Sequence, residues 1–398
     1  MAHKQHVLIV GGGFGGVKAA LELANDTEHF KVTLLSDDDE LRYYPTLYHT
    51  ATGGRRSNSS IPYKTIFEDK KIELIKATAT TLDRKARTVT TKDGEVVSYD
   101  ILILALGVVT NYFGIPGLPE YSYSIKSQSE VARFKKHLHD QLTDYRQPDL
   151  NYIVVGAGPT GIELAGMLPS YVRHLMKNHG IAPRKVHVDL IEAAPRLLPR
   201  MPRDTSRNVK RRLKRLGVKL YIGSVVQGES AEDLMVNGKP IRSHTVVWTA
   251  GVTNNPFFTD NHFVMMGRGK VAVDIYLQAD ENIFVLGDNA NTPYSGLAQT
   301  ALRDGDFVAT NLKRRARGKN FRSYIAKPVI SVIPAGPHWA AVNWGNVRMY
   351  GWLGWLLREA ADIVGFHDLE PWTRATRQFM TEFSTQEDCE VCATSFQN

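Results

Sequence analysis

Residues 151–161 read NYIVVGAGPTG, and this stretch decides the fold. Its apolar part, Tyr152–Val155, predicts a buried strand that runs into a glycine turn and then a helix. Gly156, Gly158 and Gly161 fit the spacing G-x-G-x-x-G. The first glycine permits a tight turn, the second lets the backbone approach a pyrophosphate, and the third lets the helix pack on the strand. The pyrophosphate would lie at the helix N-terminus, where N–H groups and the helix dipole favour anions.

The chain opens with a second copy of this motif. Residues 7–10 are apolar and predict a buried strand, and Gly11, Gly13 and Gly16 repeat the glycine spacing. One such motif is a weak signal on its own. Two copies about one domain length apart indicate two nucleotide-binding domains. Two nucleotides in one chain favour an enzyme that passes electrons between them.

The composition is that of a globular protein with a basic surface. The 398 residues suffice for two or three domains, and 43% of them are hydrophobic and 23% charged. The net charge of +8 suggests anionic partners such as nucleotides, nucleic acid or an acidic lipid surface. The apolar runs fall short of the roughly 20 residues of a membrane-spanning helix. We therefore expect only peripheral membrane contact, and we expect no signal peptide because the first residues lead at once into the strand at 7–10.

The end of the second strand in the first nucleotide fold is the expected place for a group that holds a ribose hydroxyl. Residues 31–35 predict this strand, and Ser36 and Asp37 follow it. Either side chain could accept the hydroxyl. The outer aspartates, Asp38 and Asp39, have a simpler alternative as part of a solvated acidic loop.

In the second nucleotide fold, residues 186–191 predict the matching strand, which ends at Glu192. A carboxylate there would accept hydrogen bonds from ribose hydroxyls and repel a 2′-phosphate. NADH is therefore favoured over NADPH, although Arg196 lies four residues later. Glu163 lies on the first turn of the glycine-loop helix, where it either serves the site or only complements the helix dipole.

Two later strands end in residues that suit ligand contact. Residues 246–251, VVWTAG, predict a strand whose last residues, Ala250 and Gly251, would let a ligand approach the backbone. Residues 283–286 predict a strand that returns to the first domain and leads towards Asp288. The Asp288 carboxylate would accept hydrogen bonds from a ribitol or ribose chain. Its alternative role is to form the turn.

The last part of the chain carries an aromatic helix. Residues 352–364 predict a helix with a stripe of Trp352, Trp355, Leu356, Ala360 and Ile363. Such a helix suits a membrane interface or a partner subunit, and it equally suits packing on the protein body. A second helix is predicted at 372–383.

The basic runs at 210–215 and 313–319 lack interleaved aromatic residues, so we expect solvated faces and no nucleic-acid binding.

These motifs resemble those of type II NADH dehydrogenases, the single-subunit NADH:quinone oxidoreductases of the two-dinucleotide flavoprotein superfamily. The resemblance covers nearly the whole chain. It rests on six segments in the expected order, GGGFGG (11–16), YYPTLYHTATGG (43–54), VVGAGPTGIELAG (154–166), VVWTAGV (246–252), GDN (Gly287–Asn289) and AQTA (298–301).

The resemblance implies FAD in the first fold and NADH in the second. For FAD it implies contacts with Gly11, Gly13, Phe14, Gly15, Gly16, Ser36 or Asp37, Pro45, Thr46, Ala79, Gly107, Gly287, Asp288 and Ala298. For NADH it implies contacts with Gly156, Gly158, Thr160, Gly161, Glu192, Ala250 and Gly251. Glu163 matches the family's glutamate beside the nicotinamide, and Gln299, together with Ala298, matches the start of its quinone motif. These two are the expected catalytic residues.

The chain departs from the family's pattern at three places. The quinone motif usually reads A-Q-x-A-x-Q, and Arg303 stands at its last position here. Ser36 replaces the usual acid after the second strand. A lysine that some members carry near the C-terminal helix is replaced by Arg358 or Glu359.

The cysteines separate this chain from two other groups of the superfamily. Disulfide reductases need a cysteine pair near the flavin, in the region matching 41–54, and sulfide:quinone reductases need cysteines in the body of the chain. This chain has neither. Its cysteines, Cys389 and Cys392, lie in an acidic C-x-x-C tail. We expect that tail to be disordered, with a metal clip to a second chain or a redox pair as alternatives, and we predict no metal site.

The residues and the resemblance predict an α/β fold with two Rossmann-like dinucleotide-binding domains, one inserted in the other, as in glutathione-reductase-like flavoproteins. Residues 110–119 predict a linker, and 271–275 predict a strand. The predicted domains are 1–115 with 270–328 for FAD, 116–269 for NADH, and a C-terminal α/β region, 329–398, for membrane or partner contact.

We expect hydride transfer from NADH to FAD and electron transfer onward to a quinone, menaquinone or ubiquinone, at the cytoplasmic face of a membrane. A homodimer is the expected assembly. One alternative is a soluble reductase that passes electrons to a ferredoxin-like protein through the basic runs. Another is a slow-turnover, redox-sensing flavoprotein. A nucleic-acid binder is disfavoured, because the sequence holds no recognition module.

Overall fold

The computed structural model describes residues 4–143, 149, 151–182 and 185–369. The predicted helix at 372–383 and the pair Cys389 and Cys392 lie outside the described residues. The α-helices of the described part are α1 (Phe14–Ala24), α2 (Leu47–Ala51), α3 (Tyr63–Ile66), α4 (Leu118–Tyr121), α5 (Gln128–Thr143), α6 (Pro159–Asn178), α7 (Arg203–Arg215), α8 (Phe257–Asp260), α9 (Ala298–Ala316) and α10 (Trp352–His367).

The strands are short and alternate with these helices. In chain order the described part contains β1 (Gln5–Val10), β2 (Phe30–Ser36), β3 (Glu40–Arg42), β4 (Ser60–Pro62), β5 (Ile72–Lys76), β6 (Ala79–Asp83), β7 (Thr88–Thr91), β8 (Val96–Ser98), β9 (Ile101–Leu104), β10 (Val108–Thr110), β11 (Tyr152–Val155), β12 (Val188–Glu192), β13 (Val218–Ile222), β14 (Val226–Glu229), β15 (Asp233–Val236), β16 (Lys239–Arg242), β17 (Thr245–Trp248), β18 (Val252–Asn254), β19 (Met265–Met266), β20 (Lys270–Val271), β21 (Gln278–Asp280), β22 (Ile283–Val285), β23 (Ser331–Pro334), β24 (Ala340–Trp344) and β25 (Val347–Gly351).

The first nucleotide fold is built on a six-stranded sheet with the order β21-β22-β9-β1-β2-β5. Its five strands from β22 to β5 run parallel, with Val7 of β1 opposite Val32 of β2 and Ile101 of β9. Both faces of this sheet are buried, because α1 and α9 cover one face and the region around α8 covers the other. Strand β22 joins from late in the chain, as a discontinuous first domain requires. The exact domain boundaries stay a prediction.

The second nucleotide fold has a parallel sheet with the order β13-β12-β11-β17. Helices α5, α6 and α7 pack against it around a large apolar core. Helix α7 holds the basic run at 210–215. Val209 and Leu213 are buried, while Lys210, Arg211 and Lys214 are exposed. The charges therefore form a solvated face, because the apolar residues of this helix take the buried side.

Two predictions about the connections were wrong in detail. The predicted linker at 110–119 begins in a strand, because β10 pairs antiparallel with β18 and ties the two nucleotide folds together. The predicted strand at 271–275 ends at Val271. Its continuation turns instead, since the Asp274 carboxylate accepts hydrogen bonds from the backbone N–H groups of Tyr276 and Gln278, at 2.7 and 2.9 Å.

The C-terminal region is an antiparallel meander, β23-β24-β25, followed by α10. One face of this sheet meets α7, where Thr205 donates a hydrogen bond to Asn343 at 2.6 Å. Helix α10 packs on the opposite face, where an added Cβ at Gly354 would overlap the carbonyl oxygen of Ala340. The sheet thus connects α10 to the body of the molecule.

Substitution of Gly305 by Ala is expected to lower the free energy of unfolding by about 1–3 kcal/mol. Gly305 lies where α9 crosses α1, and its added Cβ would overlap the carbonyl oxygen of Gly15. Urea unfolding measures the change. Asp306→Ala, at the next and exposed position of α9, is the matched control and should stay within about 0.5 kcal/mol of wild type. Equal stability of the two variants would contradict the packing described here.

Candidate active site

The two glycine turns have the same geometry. Gly11 and Gly156 adopt φ of +106° and +103°, which favours glycine. The third glycine of each motif packs on the first, and a Cβ at Gly161 would overlap the carbonyl oxygen of Gly156. At Gly13 and Gly158 an added Cβ meets no atom within 4 Å. The second glycine of each motif therefore faces open space at a helix N-terminus, as a pyrophosphate-binding turn requires.

The end of β2 separates the two candidates for the ribose contact. The Ser36 hydroxyl is buried and hydrogen-bonds Tyr63 at 3.2 Å, and Tyr63 donates to the Gly12 carbonyl oxygen at 2.9 Å. Asp37 is exposed and lies, with Arg42, at the edge of a cavity of about 750 Å³. Asp37 is thus the more accessible candidate, and Ser36 helps Tyr63 to support the glycine turn. Ala79 is buried in the neighbouring β6–β7 hairpin.

Gly287 and Asp288 lie directly after β22 in the first sheet. The backbone N–H of Gly287 donates to the Asp304 carboxylate at 3.0 Å, and Tyr324 donates to the same carboxylate at 2.7 Å. Burial raises the pKa of Asp304 to about 6. The Asp288 carboxylate makes no hydrogen bond with the described residues, so it can accept from a hydroxylated ligand. Sequence reasoning missed Asp304. Its only indication in the sequence is that an acidic residue stands next to Gly305, in a helix that packs on the rest of the protein.

Asn289 joins the two nucleotide folds beside this turn. Its side chain accepts from the backbone N–H of Gly107 at 2.9 Å and donates to the Gly107 carbonyl oxygen at 2.6 Å. It also donates to Asn254, at the end of β18. Asn289 was part of the GDN motif but was not a predicted site residue. The structure shows that it fixes the glycine turn at 107 to the strand that enters from the second fold.

The loop that holds Pro45 and Thr46 is fixed from two sides. Thr46 is buried, and its hydroxyl donates to the carbonyl oxygen of Asn58 at 2.6 Å. The Pro45 carbonyl oxygen accepts a hydrogen bond of 2.6 Å from Arg358 of α10. Arg358 in turn forms a buried ion pair with Asp362.

Burial alone would lower the pKa of Arg358, but Asp362 and nearby phenol groups raise it well above its ordinary value. The guanidinium is therefore a fixed positive charge on α10, beside the Pro45 loop. Tyr43 interacts with it electrostatically, packs against Phe14 with ring centroids 5.5 Å apart, and stacks on Phe366 at 4.3 Å. Arg358, one of the two residues that stand near the position of the family's lysine, thus contacts the Pro45 loop, and the sequence did not indicate this contact.

Glu163 lies on the first turns of α6 and faces the same cluster. Burial raises the pKa of its carboxyl group to about 8; Arg358 opposes this shift and Asp362 adds to it. The carboxyl group makes no hydrogen bond with the described residues. At neutral pH it is therefore mostly protonated and can donate a hydrogen bond or a proton. Arg358 thus hydrogen-bonds the Pro45 loop of the first fold and interacts electrostatically with Glu163 on helix α6 of the second.

The end of β12 carries Glu192 as predicted. Its two carboxylate oxygens accept hydrogen bonds of 2.7 Å from the backbone N–H groups of Ala157 and Ala194. Arg196 points away from this group. Its guanidinium donates to the carbonyl oxygens of Leu198, Pro199 and Met201 and to the Ser206 hydroxyl. Arg196 therefore stabilises the loop in which it lies, and its guanidinium is not available to a 2′-phosphate.

The predicted quinone residues lie at the start of α9. Ala298 is half-buried and Gln299 is exposed. Arg303 donates to the carbonyl oxygens of Lys327 and Pro328, at 3.0 and 3.1 Å. The arginine that breaks the family's quinone motif thus holds the segment that follows α9. On the NADH side, Thr160 and Ala250 are exposed and Gly251 is half-buried.

Two open pyrophosphate turns, joined by β10, β18 and Asn289, define the class: a flavoprotein that binds two dinucleotides. The chain belongs to the pyridine nucleotide-disulphide oxidoreductase family, whose model matches residues 5–305. It is 28% identical over 344 residues to a type II NADH:quinone oxidoreductase of Staphylococcus aureus, covering 81% of this chain and 85% of that protein.

Solved structures show the same fold. The structure of NDH2 from Plasmodium falciparum in complex with NADH has a TM-score of 0.84 at 17% identity and covers 96% of this chain and 98% of that chain. The sulfide:quinone oxidoreductase of Aquifex aeolicus has a TM-score of 0.76 at 22% identity, with 90% and 89% covered. The α/β fold class, the two-dinucleotide flavoprotein and the resemblance to type II NADH dehydrogenases are confirmed. The ligand contacts of individual residues stay predictions.

Glu192→Gln is expected to reduce the preference for NADH over NADPH about tenfold, measured as the ratio of kcat/KM values. Loss of one charge beside the 2′-position removes a repulsion of about 1–2 kcal/mol at this partly exposed site. Glu120→Gln, an exposed carboxylate on α4, is the control and should leave the ratio unchanged. An unaltered ratio in Glu192→Gln would show that this carboxylate does not select the nucleotide.

Proposed function

We propose that this chain, an FAD-dependent NADH:quinone oxidoreductase, carries out both halves of its reaction around Arg358. The observation that carries this proposal is that Arg358 hydrogen-bonds Pro45, in the FAD-side loop, at 2.6 Å and interacts with Glu163, on the NADH-side helix. A residue of the FAD-side loop and a residue of the NADH-side helix thus both interact with the C-terminal helix through Arg358. A single redox group there would be accessible to both.

The residues present fit the two dinucleotides. FAD would be held at the open turn beside Gly13, with Asp37 at its ribose and Asp288 at its ribityl chain. NADH would be held at Gly158, with Glu192 at its ribose. These assignments follow from the open space at both glycines, from the exposed position of Asp37 beside Arg42, and from the Asp288 carboxylate, which makes no hydrogen bond with the described residues.

The chemistry that a bound flavin supplies is acceptance of a hydride from NADH and delivery of two electrons to a quinone. The protein orients the partners and moves protons. Reduction of a quinone to a quinol consumes two protons, and a carboxyl group with a pKa of about 8 can donate one at neutral pH. We assign this role to Glu163, with Arg358 fixing the Pro45 loop beside it. Gln299 would line the quinone side from α9.

A peripheral membrane contact would bring the site to a lipid-soluble quinone. Among the described residues no helix is long and apolar enough to cross a bilayer. Exposed apolar residues gather instead on α10 and on the face of the β24–β25 hairpin that α10 shares, namely Trp344, Val347, Trp352, Leu353 and Leu356. The predicted stripe is therefore only partly buried. The buried side of α10 consists of Gly354, Arg358, Asp362 and Phe366. The cytoplasmic face and the homodimer stay predictions.

Absorbance spectra of the purified protein test the function. The protein should show a flavin spectrum that NADH bleaches anaerobically and that a soluble quinone analogue restores within a turnover. Bleaching by NADH with no restoration by quinone, but with restoration by an acidic ferredoxin, would instead support the soluble reductase. A preparation that stays colourless when FAD is added and does not react with NADH would contradict the proposal.

Glu163→Gln is expected to slow reoxidation by quinone about 10²-fold, because it removes the proton donor. In wild type the same rate should fall as pH rises through about 8, since the carboxyl group then loses its proton; in Glu163→Gln this step should be absent. Stopped-flow absorbance measures both half-reactions, and Glu120→Gln is again the control. A variant with wild-type rates towards NADH and quinone would remove the role of Glu163.

The double change Trp352→Ser and Leu353→Ser is expected to weaken binding to vesicles of phosphatidylcholine and phosphatidylglycerol by at least about tenfold, since it removes two large apolar groups that are 58% and 59% exposed. Co-sedimentation measures this. Val96→Ser with Val264→Ser removes apolar groups of similar exposure, 60% and 70%, that lie outside α10 and the β24–β25 hairpin, and it is the control. Equal binding by both double variants would place the membrane contact elsewhere.

A further inference from the structure

Lys126 projects from a rigid turn at the start of α5. Ser127 and Glu130 form a capping box, in which the Ser127 hydroxyl accepts from the Glu130 N–H at 3.2 Å and the Glu130 carboxylate accepts from the Ser127 N–H at 3.0 Å. The same carboxylate oxygen accepts from the Lys126 N–H at 2.7 Å and from the Ser124 hydroxyl at 3.1 Å. The backbone of Lys126 is therefore fixed, although its side chain is long.

The Lys126 ammonium group lies between the two predicted dinucleotide sites. It donates to the carbonyl oxygen of Gly251 at 3.5 Å, on the NADH side. It also interacts electrostatically with Asp288, on the FAD side. Gly251 follows β17 of the second fold, and Asp288 follows β22 of the first, so the ammonium group bridges two structural units that are distant in sequence.

This ammonium group is poorly compensated by the protein. It is half-buried, and in the described part of the chain no carboxylate lies within ion-pair distance of it. Burial lowers its pKa to about 8, and the more distant charges of Glu130 and Asp288 oppose this shift only in part. A buried cation without a close anion is unfavourable for folding. Such a group is consistent with a binding site whose ligand supplies the negative charge.

We propose that Lys126 is an electrostatic residue of the flavin site, where its ammonium group favours the reduced, more negatively charged state of bound FAD over the oxidised state. The inference rests on the FAD position proposed above, between Asp288 and the NADH-side strand. It assigns to Lys126 a role in setting how readily NADH reduces the protein. The alternative is a structural tether, in which Lys126 only holds the Gly251 turn in place.

The midpoint potential of bound FAD distinguishes these roles. In Lys126→Met, the ratio of reduced to oxidised flavin at a fixed potential should fall about tenfold, which is a shift of about 30 mV for a two-electron couple. Lys126→Arg keeps the charge and should remain near wild type. Lys214→Met removes an exposed lysine from α7 and should leave the potential unchanged. Anaerobic titration against a reference dye measures all four proteins.

Loss of FAD from Lys126→Met is the second informative result. Retention of FAD by Lys126→Arg, with equal thermal stability of the two apoproteins, would then support a charge at the flavin site. Loss of FAD and of stability in both variants would show a structural tether and overturn the proposal, as would a wild-type potential in Lys126→Met or an equal fall in both variants. A wild-type protein that NADH does not reduce would instead overturn the proposed function.

Discussion

The close approach of a helix to the strand before it is the constraint on which the rest of the molecule depends. In both nucleotide folds the third glycine of the motif lies against the carbonyl oxygen of the first, at Gly16 and at Gly161. Any side chain there would push the helix away, and the helix N-terminus would no longer face the turn. The open space at Gly13 and Gly158 exists only because this packing holds. Anion binding is thus a result of backbone geometry, with no charged side chain required.

The ion pair of Arg358 and Asp362 is the second constraint, and its energetics are of a different kind. Removing two charges from water is unfavourable, so a buried pair is weak evidence for stability. Its contacts indicate instead that the pair positions neighbouring segments of the chain. Arg358 binds the Pro45 carbonyl oxygen, and Tyr43 donates to Asp362 at 3.4 Å. A C-terminal helix thereby fixes an N-terminal loop, while burial raises the pKa of Glu163 to about 8 against the opposing charge of Arg358.

The sequence was sufficient where the signal was local. Strand, glycine turn and helix follow each other within about fifteen residues at both motifs, and Glu192 lies at a fixed place in the fold, so these features were predicted correctly. The buried face of α10 was harder to predict from the sequence. Its apolar stripe includes exposed residues such as Trp352, while the buried side carries Arg358 and Asp362, because their partners come from distant parts of the chain. The sequence likewise showed only that Arg196 lies near Glu192, and its hydrogen bonds to the carbonyl oxygens of Leu198, Pro199 and Met201 depend on the folded loop.

The ribbon formed by β10 and β18 has a consequence for turnover. Three residue pairs, from Val108 with Asn254 to Thr110 with Val252, hold the two nucleotide folds together by backbone hydrogen bonds. Helix α2 of the first fold also packs within the core of the second. Large hinge rotation would have to break both contacts. The enzyme is therefore expected to work as a rigid frame, in which nucleotide exchange needs no opening and closing of one domain against the other.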